Sequence, residues 1–66
     1  MDVKFPNVEV RLSNKDSNAF FILGRVRGAL RKAGVSEVDI NAFTKEATAG
    51  DYDHLLQTVM KTVDVE

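Results

Sequence analysis

Asp51-Tyr52-Asp53-His54 is the stretch of this chain whose residue types look most equipped for chemistry. His54 is the only histidine, and on a helix Asp51, three residues earlier, would lie close enough to orient its ring as carboxylates orient catalytic or metal-bound imidazoles. Neither use is complete. A metal site needs three or four ligands, and nucleophilic catalysis needs a nucleophile beside its base; no second histidine, cysteine or signature motif supplies them. The same residues have a simpler use at a helix start, with Asp51 as N-cap, Asp53 as a first-turn acid, Tyr52 as an apolar anchor with a wet hydroxyl and His54 on the solvated surface. No catalytic, cofactor-binding or metal-ligating residue is assigned, and the chain is not expected to be an enzyme.

The second group worth weighing lies between Ser17 and Ser36, which holds four cations, Arg25, Arg27, Arg31 and Lys32, and no acid. The following segment, Glu37 to Asp53, reverses this with five acids against Lys45. On a helical wheel the apolar stripe of the first segment centres between Val26 and Ala33. Opposite it lie Gly24 and Gly28, flanked by Phe20 with Arg27 and Arg31 on one side and by Phe21 with Arg25 and Lys32 on the other. Two exposed helical glycines cost about 1 kcal/mol each relative to alanine. A protein contact would offset this, because a small-residue groove admits another backbone and phenylalanine beside arginine is a common interface composition. Phe20, Phe21, Gly24, Arg25, Gly28 and Arg31 are therefore the interface candidates. The competing arrangement makes this helix central, with both rings packed under neighbouring elements and the glycines making room inside the monomer. As phosphate contacts, Arg25, Arg27, Arg31 and Lys32 are a weaker pattern, since they split to two sides of the helix and are followed by repelling acids.

The elements that must position these groups fit one domain, residues 1–66, with residues 1–6 as a flexible start. At 66 residues, 44% hydrophobic and 29% charged, the chain is apolar enough to fold and short enough to be marginally stable. Without cysteine it has no disulfide to reinforce it, which leaves self-association as a means of doing so and fits a reducing compartment. No apolar run is long enough to cross a bilayer, and Met1 to Pro6 lacks a signal peptide's basic start and apolar centre, so a cytoplasmic location without membrane contact is expected.

Val8 to Leu12 alternates apolar and charged residues and predicts a strand, with Phe5 extending it back past Pro6. Ser13 to Asn18 reads as a loop in which Asp16, Ser17 and Asn18 are all cap candidates. Ala19, Ile22, Leu23, Val26, Ala29, Leu30 and Ala33 trace one helical stripe, closed by Gly34 as a left-handed C-cap. Ser36 and Asp39 resemble a capping box, with Val35 and Ile40 at the staple positions. A second helix then runs through Phe43 and Ala47 to a stop at Gly50. Tyr52, Leu55, Leu56, Val59, Met60 and Val63 form another stripe, predicting a helix from Tyr52 to about Lys61. Thr62 to Glu66 reads as either a short strand paired with the first or a frayed helix end. Glu9, Arg11, Asp64 and Glu66 then point outward as cross-strand charge partners or guards of open edges. The expected fold is α+β, in the order β-α-α-α-β, with three helices packed on a two-stranded ribbon.

Asn18-Ala19-Phe20-Phe21-Ile22-Leu23-Gly24, followed by Ala33-Gly34 and Gly50-Asp51-Tyr52-Asp53-His54-Leu55-Leu56, resembles a group of small uncharacterised proteins of bacteriophages, prophages and bacterial genomes. The similarity spans most of the chain and implies a phage or mobile-element setting, without an activity or any functional residue to carry over. Members often have glycine where this chain has Ser17. The expected function is thus a small accessory protein acting as a non-enzymatic interaction module, binding itself or a host or phage protein through the outer side of the first helix or an open strand edge. The second reading is a nucleic-acid or nucleotide binder, regulatory or counter-defence in role, using the basic residues of that helix.

Overall fold

Strand β1 (Phe5–Val10) buries Val8 and Val10 and exposes Glu9 between them, as alternation demands. These features come from a computed structural model that describes residues 3–12 and 18–66. Met1, Asp2 and the part of the predicted loop from Ser13 to Ser17, including the cap candidates Asp16 and Ser17, lie outside the described residues. Phe5 precedes Val8 by three positions, so a regular pleat would turn it to the opposite face. A register shift between Phe5 and Glu9 resets the alternation and leaves Phe5 half-buried against the core.

Helix α1 (Ala19–Lys32) starts at Asn18, whose Oδ1 accepts the Phe20 N–H at 2.8 Å. Its other end is a full Schellman motif: Gly34 sits at φ +86°, its N–H donates to Arg31 O, and the Val35 N–H donates to Leu30 O. Helix α2 (Glu37–Ala47) is capped by Ser36 Oγ, which accepts from the Asp39 N–H, and Val35 and Ile40 both pack into the core as staple positions require. It ends at Ala47, three residues before the expected stop. Gly50 is not left-handed. A Cβ placed on it would lie 2.9 Å from both Cβ and Cγ of His54, so glycine is needed there for close approach and not as a helix cap.

Helix α3 (Tyr52–Thr62) passes into strand β2 (Val63–Val65) with no intervening loop. The Val63 N–H closes the helix by donating to Val59 O, while its own backbone is already extended. The terminal valines therefore form the strand and not a frayed helix end. β1 and β2 are parallel, with Phe5 opposite Val63 and Val10 opposite Val65, bracketed by Lys4 N–H to Lys61 O and Glu66 N–H to Val10 O, both 2.9 Å. Parallel neighbours need a long crossover, which the three helices provide. The strand stops at Val10, and Leu12, expected inside it, packs half-buried on the core margin.

α1 packs on β1, α3 on β2, and α2 bridges the two helices. Ile22, Val26, Leu30, Ile40, Phe43, Leu55, Val59 and Val63 meet in the centre. The α3 stripe is narrower than its spacing suggests, since Met60 and Tyr52 stay exposed. Thr58 and Thr62 are buried instead, which their polarity hides in the sequence. Each hydroxyl donates to the carbonyl four residues back, His54 O and Thr58 O, so burial leaves it satisfied. Arg11 reaches Glu66 at 4.0 Å, as one of the two expectations for these charges has it, but Glu9 stands opposite Asp64, a pair of like charge that is no cross-strand partnership.

Candidate interaction surface on the first helix

α2 and α3 dock on the apolar stripe of α1 and leave its outer side to solvent. Phe20 is 84% exposed and Phe21 49% exposed, and a Cβ added at Gly24 or Gly28 would meet nothing within 4 Å. The glycines therefore make no room for anything inside the monomer. Phe20, Phe21, Gly24 and Arg25 line one shallow depression, and the Arg25 guanidinium lies 5.4 Å from the centre of the Phe21 ring, in cation–π range. Arg25 also donates to Arg11 O at 3.3 Å, tying α1 to the end of β1. Gly28 lies one turn further along, on the same open side.

Arg31 is drawn away from this group. Its Nε and one terminal nitrogen donate to the two carboxylate oxygens of Glu37, both at 3.0 Å, in a bidentate pair across the α1–α2 turn. The hydrogen bond from Arg31 holds the Glu37 carboxyl below the usual carboxylate range, against an opposing desolvation and with further help from the positive charges of Arg31 and Arg27; the same bond raises Arg31. Arg27 is half-buried, and its Nε lacks a hydrogen-bond partner among the described residues. Lys32 is exposed at the end of the helix. The four cations thus take four different environments and do not converge.

The pairing at Glu37 has a measurable sign. Because its folded pKa is depressed, its contribution is present above the unfolded carboxylate range, roughly pH 4, and is lost as pH falls through the lower folded value. Glu37→Gln is expected to lower the melting temperature slightly at neutral pH and to flatten the acid limb of melting temperature against pH. Both differences should shrink in high salt, because the pair is solvent-exposed. An unchanged acid limb would show that the pair contributes nothing to folding.

Around the Asp51 cluster, Asp51 Oδ1 accepts the backbone N–H of His54 at 2.9 Å, so it caps α3 and does not orient the imidazole. The ring turns toward α2, with Nε2 2.9 Å from Glu46 O and 3.6 Å from its carboxylate. Gln57 donates to Asp53 Oδ2. Glu46, His54 and Gln57 line a cleft of about 280 Å³ between α2, α3, Lys4 and Phe5, and Asp51 and Asp53 are not part of its lining. Among the described residues no three His, Asp or Glu side chains gather as metal ligands, and no helix is long and apolar enough to cross a membrane.

A second depression, of about 230 Å³, was not legible in the sequence. Its floor is Leu23, Ala47 and Leu55, and its rim includes Phe20, Thr48, Asp51 and Tyr52. It forms where the start of α1 meets the α2–α3 corner, and Phe20 belongs to it and to the Arg25 depression alike. The exposed apolar surface therefore continues from Phe21 over Phe20 to Tyr52.

Protein-family models, curated proteins and solved structures give no match to this chain. Its function has to be sought in its own surface chemistry. The open edge of β1 is the less suitable surface for a partner strand. Pro6 lacks a donor there, the register shift disrupts a regular ladder, and Arg25 covers Arg11 O.

Proposed function

We propose that this chain is a non-enzymatic protein-interaction module that works through the outer side of α1, an accessory protein in keeping with its resemblance to small phage and prophage proteins. The observation that carries this reading is the adjacency of two exposed phenylalanines, Phe20 and Phe21, on a helix whose opposite side already supplies the core. Isolated apolar side chains on a surface need no explanation, but a continuous patch that joins two depressions is what an interface looks like before its partner arrives. Arg25 over Phe21 adds the cation and aromatic pairing enriched at interfaces. The nucleic-acid reading has less support, since Arg31 is engaged by Glu37 and the remaining cations point to different surroundings.

Phe20→Ser and Phe21→Ser, singly and together, test this. Phe20→Ser should change unfolding free energy by about 0.5 kcal/mol or less, as surface substitutions do, and the double variant by far less than the 3–5 kcal/mol typical of removing a core phenylalanine. Association should fall sharply, read as native mass by light scattering from micromolar to near-millimolar protein and as capture of proteins from a bacterial lysate. A double variant with unaltered mass and unaltered capture would remove the reading.

A further inference from the structure

We infer that the partner of this surface is a second copy of the chain, docked about a two-fold axis so that Phe20 of each protomer fills the Leu23–Ala47–Leu55 depression of the other. The inference rests on the interaction reading above and names its occupant. A two-fold interface must be self-complementary, with a projection and its receptor on one surface. Phe20 is such a projection, 84% exposed, and it stands on the rim of an apolar depression with no aromatic ring in its floor. The depression measures about 230 Å³, whereas an apolar cavity of about 150 Å³ takes up benzene, so it has volume enough for a phenyl ring. Charge agrees with the same geometry. The patch has Arg25 beside Phe20 at one end and Asp51 on the rim at the other, and a two-fold rotation reverses the patch, setting Arg25 of one protomer toward Asp51 of its partner.

Complementation between two surface variants tests the arrangement directly. Phe20→Ala removes the projection and, with it, one rim residue of the receptor, while its Leu23–Ala47–Leu55 floor stays open; Thr48→Trp, at an exposed rim position, fills the receptor and leaves the projection. With circular dichroism confirming that both fold, each alone should associate at least tenfold more weakly than the parent in sedimentation equilibrium. An equimolar mixture should recover a two-chain particle, because one Phe20 and one open depression remain to pair. The parent association should also weaken with added salt, and that salt dependence should diminish in Arg25→Gln.

A parent that stays monomeric to near-millimolar concentration overturns the inference, as does a Thr48→Trp chain that associates like the parent or a mixture no heavier than its components. The broader reading fails separately: a monomeric parent that still captures another protein through Phe20 and Phe21 refutes the dimer alone.

Discussion

Val63→Asp is expected to leave the chain unfolded at 25 °C, with the loss of both helical circular dichroism and a cooperative melting transition. Val63 is completely buried, closes α3 through its N–H to Val59 O, and stands opposite Phe5 as the first residue of β2. A carboxylate there would have neither water nor a counter-charge, a situation that costs about 3–5 kcal/mol when a buried pair is broken, in addition to the apolar burial lost. At the usual scale of stability per residue, a chain of 66 residues has roughly 3–10 kcal/mol in total. The substitution therefore consumes most or all of it. Val63→Ala separates volume from charge and should cost about 2 kcal/mol, leaving a folded protein with a lower urea midpoint. If Val63→Asp melts like the parent, the terminal segment is not packed as described and the parallel ribbon is wrong.

Glycine substitutions should divide by position, in opposite directions. Gly50→Ala forces a methyl group to within 2.9 Å of the His54 Cβ and Cγ; a χ1 rotation can move Cγ, but Cβ cannot shift without moving α3. Such overpacking costs about 1–3 kcal/mol. Gly24→Ala and Gly28→Ala meet open space on an established helix and should each raise the unfolding free energy of the monomer by up to about 1 kcal/mol. Urea unfolding of the three variants under one set of conditions decides the matter. Stabilisation by Gly50→Ala, or destabilisation by both helical alanines, would contradict the packing around α1 and α3.

The His54 ring illustrates how a sequence cluster can mislead in its geometry while remaining correct in its residues. Asp51 and His54 are joined, as a three-residue spacing at a helix start suggests, but through the His54 backbone N–H. The ring's own neighbours, Glu46 and Gly50, come from the preceding helix and turn. No spacing within Asp51 to His54 contains that information, because the ring's direction is set by how α2 and α3 lie against each other.

Most of the fold was legible because its signals are local. Asn18, Ser36 and Asp51 cap helices with bonds to residues two or three positions ahead, and the Gly34 stop is closed within a span of six residues. The stripes of α1 and α3 likewise depend on a periodicity that a short window reveals. Pairing direction, the register shift after Phe5, the like-charge Glu9–Asp64 opposition and the steric need for Gly50 depend on residues brought together by the chain's path. So does the surface that matters most. A helical wheel places Phe20 and Phe21 opposite the apolar stripe but contains no statement of what packs there. That became clear once α2 and α3 were seen to occupy one side of α1, because burial is a property of neighbouring elements and not of the segment that bears the side chain.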